Sequence, residues 1–458
     1  MRTQKRWKAL PLNYRKLRTK HSFRVVDVLE FKKRLLQWSQ QFYETIWLDS
    51  NSQTESYSSF DAILAVDALT VLQTDALNAF ENLKEYQSET KDWIFGYLSY
   101  DLKNDVEKLS SSNHDGLDFP ELFFFQPKKI IQIKGDVVEF IYLNMVKNEI
   151  EDDLNTIKNY FHEPNNEIVT TEDIRIKLRV FKDEYFRGAE EMLRHIHRGD
   201  IYEANFCQEF YAENTLINPL RAYEKLNSIS KAPFTTFLRI NDKYLISASP
   251  ERYLRKERDK IISQPIKGTA KRSNNVLEDE ILKTRLKEDP KERAENIMIV
   301  DLVRNDLSKS AIKGSVAVKE LCEVYSYEQV HQMVSTIISK VPANKNPVDI
   351  IKETFPMGSM TGAPKVSAMQ IIEELEAFKR GLYSGAVGYF SPDNNFDFNV
   401  VIRSILFNET NKYVSYAVGS ALTAKASPEL EYEECLLKAK AMREVLENSN
   451  VQNIRNKS

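Results

Sequence analysis

Two pairs of apolar runs, each joined by a three-residue polar turn, restrict what this chain can fold into. Residues 234–240 and 244–248 flank Asn-Asp-Lys, and residues 130–133 and 137–143 flank Lys-Gly-Asp. Runs that reverse over so short a connection form antiparallel hairpins, because a parallel pair needs a crossover of a dozen or more residues. Further β-like runs lie at 45–50, 93–101, 201–210 and a proline-bounded 119–127. Helical spacing marks 31–42 (Phe31, Leu35, Trp38, Phe42) and 183–198, which Gly199 ends. Residues 278–303 read as two helical pieces around Asp289-Pro290, with Pro290 starting the second. The expected fold is α/β in the α+β sense: two antiparallel sheets packed face to face, helices outside, and a site between the sheets.

A chain of 458 residues, 42% of them hydrophobic, can bury a large core. A polar stretch at 149–173 divides it into a β-rich N-terminal region, residues 1–165, and a larger catalytic region, residues 166–458. The aromatic richness of the first region fits a sheet core; a ligand pocket between the sheets is the other reading. A formal net charge of -3 provides no basic field, which argues against a nucleic-acid partner and for a small molecule or a protein. Cys207, Cys322 and Cys435 are widely spaced, so neither a disulfide framework nor a zinc knuckle is expected, and a reducing cytoplasm fits. The basic start at 1–8 precedes no apolar h-region and no window approaches a membrane span, so a cytoplasmic protein without membrane contact is expected.

The chemistry centres on Ser-Gln-Pro-Ile-Lys-Gly-Thr at 263–269, where Lys267 stands between a β-like run and a Gly-Thr turn. A lysine is ordinarily a solvated surface group, and so are acidic pairs on helices. Here Glu292 and Glu295 are spaced i, i+3, as are Glu431 and Glu434, so each pair shares one helix face. Two such faces could hold a hard, oxygen-ligated ion with several waters, which suits Mg²⁺.

Denser signals accompany these: Arg198-Gly-Asp-Ile-Tyr-Glu-Ala-Asn205, Ser249-Pro-Glu-Arg252, Pro265-Ile-Lys-Gly-Thr269, Pro356-Met-Gly-Ser-Met-Thr-Gly-Ala-Pro-Lys365 and Gly419-Ser-Ala-Leu-Thr423. On these the chain resembles the chorismate-utilising enzymes, and within them the aminodeoxychorismate synthase component I branch. The match is specific over about residues 175–443 and looser before, where Gly96-Tyr-Leu-Ser-Tyr-Asp101 carries it.

The resemblance implies an anthranilate synthase component I-like fold and a reaction on chorismate, whose C4 hydroxyl leaves as a nucleophile adds to the ring. It implies Glu295 and Glu434 as Mg²⁺ ligands, with Glu292 and Glu431 holding the ion's waters. Arg403, Tyr383, Lys438 and the backbone N–H groups of Gly419, Ser420 and Ala421 would surround the second carboxylate, with Thr269, Ser359 and Thr361 as further substrate contacts. Glu251 would be the general acid and His331 an active-site histidine beside the ring. Lys267 chooses the branch. Anthranilate- and isochorismate-forming relatives carry a small residue there, whereas aminodeoxychorismate synthases resemble this chain in carrying lysine. That lysine would attack C2 as the C4 hydroxyl leaves, and ammonia would then attack C4 and expel it. The product would be 4-amino-4-deoxychorismate, a precursor of 4-aminobenzoate and folate.

None of the three cysteines lies in a Gly-x-Cys-x-Gly elbow, so ammonia is expected from a separate glutamine amidotransferase subunit. Trp93-Ile-Phe-Gly96 lacks the glycine pair that announces the family's tryptophan pocket. Two other readings stand beside this one. An anthranilate synthase component I results if Lys267 is a bystander, and a non-catalytic metabolite-binding subunit is opposed by the joint presence of Glu251, Lys267, Glu295 and Glu434.

Overall fold

A computed structural model describes residues 17–51, 53, 58–160 and 174–447. The basic start at 1–8 and the 161–173 part of the expected boundary lie outside the described residues. Strand alternation decides which core each side chain enters. Ile46, Leu238 and Leu245 pack into one hydrophobic core, while their strand neighbours Trp47, Phe237 and Ile246 pack into a second. Each fully buried side chain of this kind contributes roughly 1.5–3 kcal/mol.

One sheet runs through hydrogen-bonded neighbours in the order Arg18–Arg24, Val137–Leu143, Leu122–Lys134, Ala62–Thr74, Glu44–Asp49, Phe234–Ile240, Lys243–Ser249, Ser404–Asn408, Tyr413–Thr423 and Glu203–Ala212. The other starts from the first residues of Leu122–Lys134 and runs through Ile94–Leu98, Ala386–Phe390, Phe396–Val400, Arg252–Glu257, Lys260–Gln264 and Val330–Lys340, with Ile266–Lys271 beside the last. All these ladders are antiparallel, as the hairpins required. The first core lies between the sheets. The second lies beneath helices that include Val28–Ser39, Lys182–Arg198, Pro219–Ser230 and Pro428–Glu447, on the outer face of the first sheet. Strands from both expected regions pair directly, Glu44–Asp49 with Phe234–Ile240 and Ile94–Leu98 with Ala386–Phe390, so the regions share sheets and cores.

Residues 119–127 and 130–133, expected as separate strands, are largely one strand, Leu122–Lys134. Pro127 does not end it. It sits opposite Ala68 at a register break, where a missing N–H disturbs the ladder least. The helix ends follow local chemistry: Gly199 caps Lys182–Arg198 at φ +88°, and the Asp289 side chain accepts from the Lys291 and Glu292 N–H groups ahead of Pro290. Among the described residues no helix is long and apolar enough to cross a membrane.

Candidate active site

Two chain segments pass together from one sheet to the other. In the first sheet Ser247 lies opposite Ser404, and in the second Arg252 lies opposite Asn399. Glu251 and Arg403 occupy the corner between these ladders. The corner is tied by Ala248 N–H donating to the Arg403 carbonyl (3.2 Å) and Val400 N–H to the Glu251 carbonyl (3.0 Å). Turning it places Arg403 at φ +53°, a left-handed conformation that costs an arginine about 1–3 kcal/mol. Both residues line a cleft of about 470 Å³.

Lys267 enters the same cleft through a bulge. Ile266 pairs with Val334 and Thr269 with Gln332, so Lys267 and Gly268 together oppose one residue. Gly268 has φ +88°, and a Cβ there would come within 3.0 Å of Glu292 Oε2. Among the described residues the Lys267 amine has no hydrogen-bond or ion-pair partner, and neither has the Arg403 guanidinium. Burial pushes the pKa of Arg403 below its usual value. Glu251 is buried and accepts from Ser359 Oγ (2.7 Å). Burial raises its pKa from 4.5 to about 7, against the opposing pull of Ser359 and of the Lys267 charge.

The Ser359 turn is propped from behind. Lys365 Nζ donates to the carbonyls of Pro356 (2.8 Å) and Thr354 (3.1 Å) and to Asp306 (2.5 Å). Arg380 donates to the Met360 carbonyl (2.6 Å) and the Asn205 carbonyl (2.7 Å), anchored on Glu376. Neither residue was expected from the sequence. Lys365 ends the motif that starts at Pro356, which was a usable signal, but Arg380 offered none.

The acidic pairs lie on two helices, Pro290–Ser308 and Pro428–Glu447, and three of the four, Glu292, Glu295 and Glu434, line the cleft. Lys291 Nζ lies 3.1 Å from Glu431 and 3.8 Å from Glu295. Lys438 pairs with Glu434 (2.6 Å) and donates to the Gly419 carbonyl (2.8 Å). Burial raises the pKa of Glu292 and of Glu431, and neighbouring carboxylates add to both rises. Burial also acts upward on Glu434, but the Lys438 charge and hydrogen bond outweigh it and leave the carboxyl below its usual range. Glu295 Oε1 is buried without a hydrogen-bond partner. Two lysines thus meet four carboxylates, and the uncompensated, all-oxygen donor set fits a hard divalent cation. As placed, no three such side chains among the described residues are grouped closely enough to hold an ion.

Glu292, Glu295, Glu434, Lys438, Tyr383, Thr269, Ser359, Gly419 and Ala421 line the cleft with Glu251, Lys267 and Arg403. Four expected residues do not, and strand parity or burial explains each. Val330 and Gln332 line the cleft, so His331 points to the opposite face, where Nε2 meets Asp279 (3.0 Å) and Nδ1 meets Ser326 (2.9 Å). Ser420 likewise turns its hydroxyl to Tyr185 (3.2 Å). Its N–H belongs to the ladder with Phe206, since the neighbouring Asn205 and Cys207 N–H groups point away from that ladder to Thr361 O and Glu376 Oε1. The free N–H groups are therefore those of Gly419 and Ala421. Thr361 is buried and turned back on the Met357 and Gly358 carbonyls, and Glu431 is buried behind Lys291. Tyr383, which does line the cleft, has its hydroxyl 3.7 Å from the Cys207 thiol.

Residues 35–444 match the family described as chorismate binding enzyme. The chain belongs to that family. Among other chorismate-binding enzymes, a probable aminodeoxychorismate synthase of Oryza sativa subsp. japonica is 43% identical over 281 residues, 61% of this chain and 31% of the relative. An aminodeoxychorismate synthase component 1 of Salmonella typhimurium is 39% identical over 58% of each chain. An anthranilate synthase component I-like protein of Synechocystis is 33% identical over 81% of this chain and 76% of the relative. This chain thus spans about a third of the rice relative and just over half of the Salmonella one. The crystal structure of anthranilate synthase component I from Streptococcus pneumoniae superposes with a TM-score of 0.72 at 25% identity, covering 85% of this chain and 94% of that one. A menaquinone-specific isochorismate synthase of Escherichia coli shares the fold, with a TM-score of 0.71 at 16% identity over 94% of this chain and 96% of that one.

Proposed function

We propose that this chorismate-binding enzyme is the synthase component of an aminodeoxychorismate synthase, converting chorismate and ammonia to 4-amino-4-deoxychorismate for 4-aminobenzoate and folate synthesis. One observation carries the reading: an unpartnered lysine amine shares a cleft with a buried carboxyl whose pKa lies near 7. Arg403 and the N–H groups of Gly419 and Ala421 would anchor one substrate carboxylate. Glu295 and Glu434, supported by Glu292 and by Glu431 behind Lys291, would hold Mg²⁺, which would supply positive charge against the other. Glu251, about half protonated at neutral pH, donates to the departing C4 hydroxyl. The Lys267 amine attacks C2 in the same step, and ammonia then attacks C4 and expels it. His331 receives no substrate contact in this scheme.

Relatives named component 1 support a separate partner that supplies ammonia, a glutamine amidotransferase subunit. Cys207, Cys322 and Cys435 are buried free thiols, which suits a reducing compartment such as the cytoplasm. The second reading, an anthranilate synthase, is favoured by relatives of that name. Product analysis separates the two. With chorismate, Mg²⁺ and ammonium, the enzyme should yield a product that a downstream lyase turns into 4-aminobenzoate, and fluorescent anthranilate as the main product would reverse the assignment.

A further inference from the structure

Glu203 opens the Glu203–Ala212 strand opposite Thr423, on the same face as Asn205. Asn205 lines the cleft, and so do Gly419 and Ala421 on the paired strand. Glu203 therefore stands on the cleft side, one step beyond Asn205. It is 3% exposed, and its Oε2 has no hydrogen-bond partner. An orphaned buried carboxyl oxygen costs about 1–3 kcal/mol or more, so its retention needs a reason. Burial raises its pKa, the charge of Lys267 opposes that rise, and Glu295 adds to it.

We infer that Glu203 is the proton carrier of the Lys267 amine, taking one proton from the ammonium before attack on C2 and returning it after the amine is expelled. The inference rests on Lys267 being the nucleophile. Only a neutral amine carries the lone pair that attacks C2, so a base in the cleft matters. Glu203, Glu251 from the sheet corner and Glu434 from the Pro428–Glu447 helix feel the charge of Lys267, and Glu292 and Glu295 of the Pro290–Ser308 helix line the same cleft. Glu251 is hydrogen-bonded by Ser359 and committed to the C4 oxygen, and Glu434 is bonded by Lys438. Glu203 and Glu295 each keep an unbonded buried oxygen, and Glu295 is assigned to the metal in the proposed function, which leaves Glu203.

The protons balance. Glu203 carboxylate and Lys267 ammonium become carboxylic acid and neutral amine. The amine bonds C2 while the C4–O bond breaks, and the Glu251 proton leaves with the oxygen as water. The adduct is a secondary ammonium, which departs as neutral amine when ammonia bonds C4. The new C4 ammonium gives one proton to Glu251, and Glu203 returns its own to Lys267. The sum is chorismate plus ammonia going to the amine product plus water.

The test measures Lys267 adduct formation in the full chain with chorismate and Mg²⁺ but no ammonia, by peptide mass after rapid quenching, across a range of pH. Glu203→Gln should slow adduct formation at least about 10-fold at pH 7. Its rate should climb with pH and approach wild type in alkali, Glu203→Asp should keep part of the neutral-pH rate, and chorismate binding should stay unchanged. A Glu203→Gln rate equal to wild type at pH 7, or lower by one factor at every pH, would overturn the assignment while leaving Lys267 as nucleophile. Absence of any adduct in wild type would remove both.

Discussion

Replacing Glu251 by glutamine should stabilise the substrate-free protein, and increasingly so as pH rises. The side chain is 6% exposed, and its pKa climbs from 4.5 to about 7 on folding. Between those values the folded state binds a proton that the unfolded chain has lost, so folding stability falls as pH increases. At about 1.4 kcal/mol per pKa unit, the accumulated loss is about 1 kcal/mol at pH 5 and about 3 kcal/mol at pH 8. Glutamine keeps an acceptor for the Ser359 hydroxyl but carries no charge, so it escapes the loss. Urea titrations of the two proteins at both pH values should show their unfolding free energies separating by about 2 kcal/mol from acid to alkali. The infrared difference between them should contain a carboxylic C=O band that disappears near pH 7. A separation that does not change with pH, or a band already gone by pH 5, would show that Glu251 is ionised in the folded protein and cannot be the acid.

Other outcomes follow from the same geometry. Glu434→Ala removes a carboxylate and strands Lys438, and should cut Mg²⁺-dependent turnover by at least about 100-fold together with Mg²⁺ binding measured by calorimetry; near-normal activity at ordinary Mg²⁺ would refute the metal assignment. In Gly419→Ala the new Cβ would meet Cys207 Sγ at 2.5 Å and Asn205 Oδ1 at 2.7 Å, so the strand must shift. It should lose about 1–3 kcal/mol of stability and raise KM for chorismate about 10-fold, and Cys207→Ala in the same chain should recover part of both. Glutamine should support amination only once a glutaminase partner is added, whereas concentrated ammonium at alkaline pH should suffice alone; glutamine consumption by the isolated chain would contradict this.

Much of the architecture was legible because short turns admit only antiparallel pairing and because Pro290 and Gly199 punctuate helices by known stereochemistry. The cleft was legible through its motifs, which carry Glu251, Lys267 and the acidic pairs to one place. Facing was harder. A motif names His331, Ser420 and Thr361 but not the parity of their strands or turns, and parity depends on bulges such as the one at Lys267 and Gly268 that only the assembled ladder reveals. The strand Ala62–Thr74 and the merging of 119–127 with 130–133 were missed for a related reason, since Pro127 reads locally as a terminator and is tolerated only by its register break. Glu203 was in plain view within a motif, and strand alternation in 201–210 already grouped it with Asn205.

The corner that holds Glu251 and Arg403 gives the enzyme an axle. Lys267 and the Glu292–Glu295 pair ride on one blade, and Gly419, Glu434 and Lys438 ride on the other. The corner's two backbone hydrogen bonds tie Glu251 and Arg403 across it, so under the proposed reaction any shift of one blade against the other would change the reach of Lys267 and the spacing of the acidic pairs more than the separation of the acid from the carboxylate anchor.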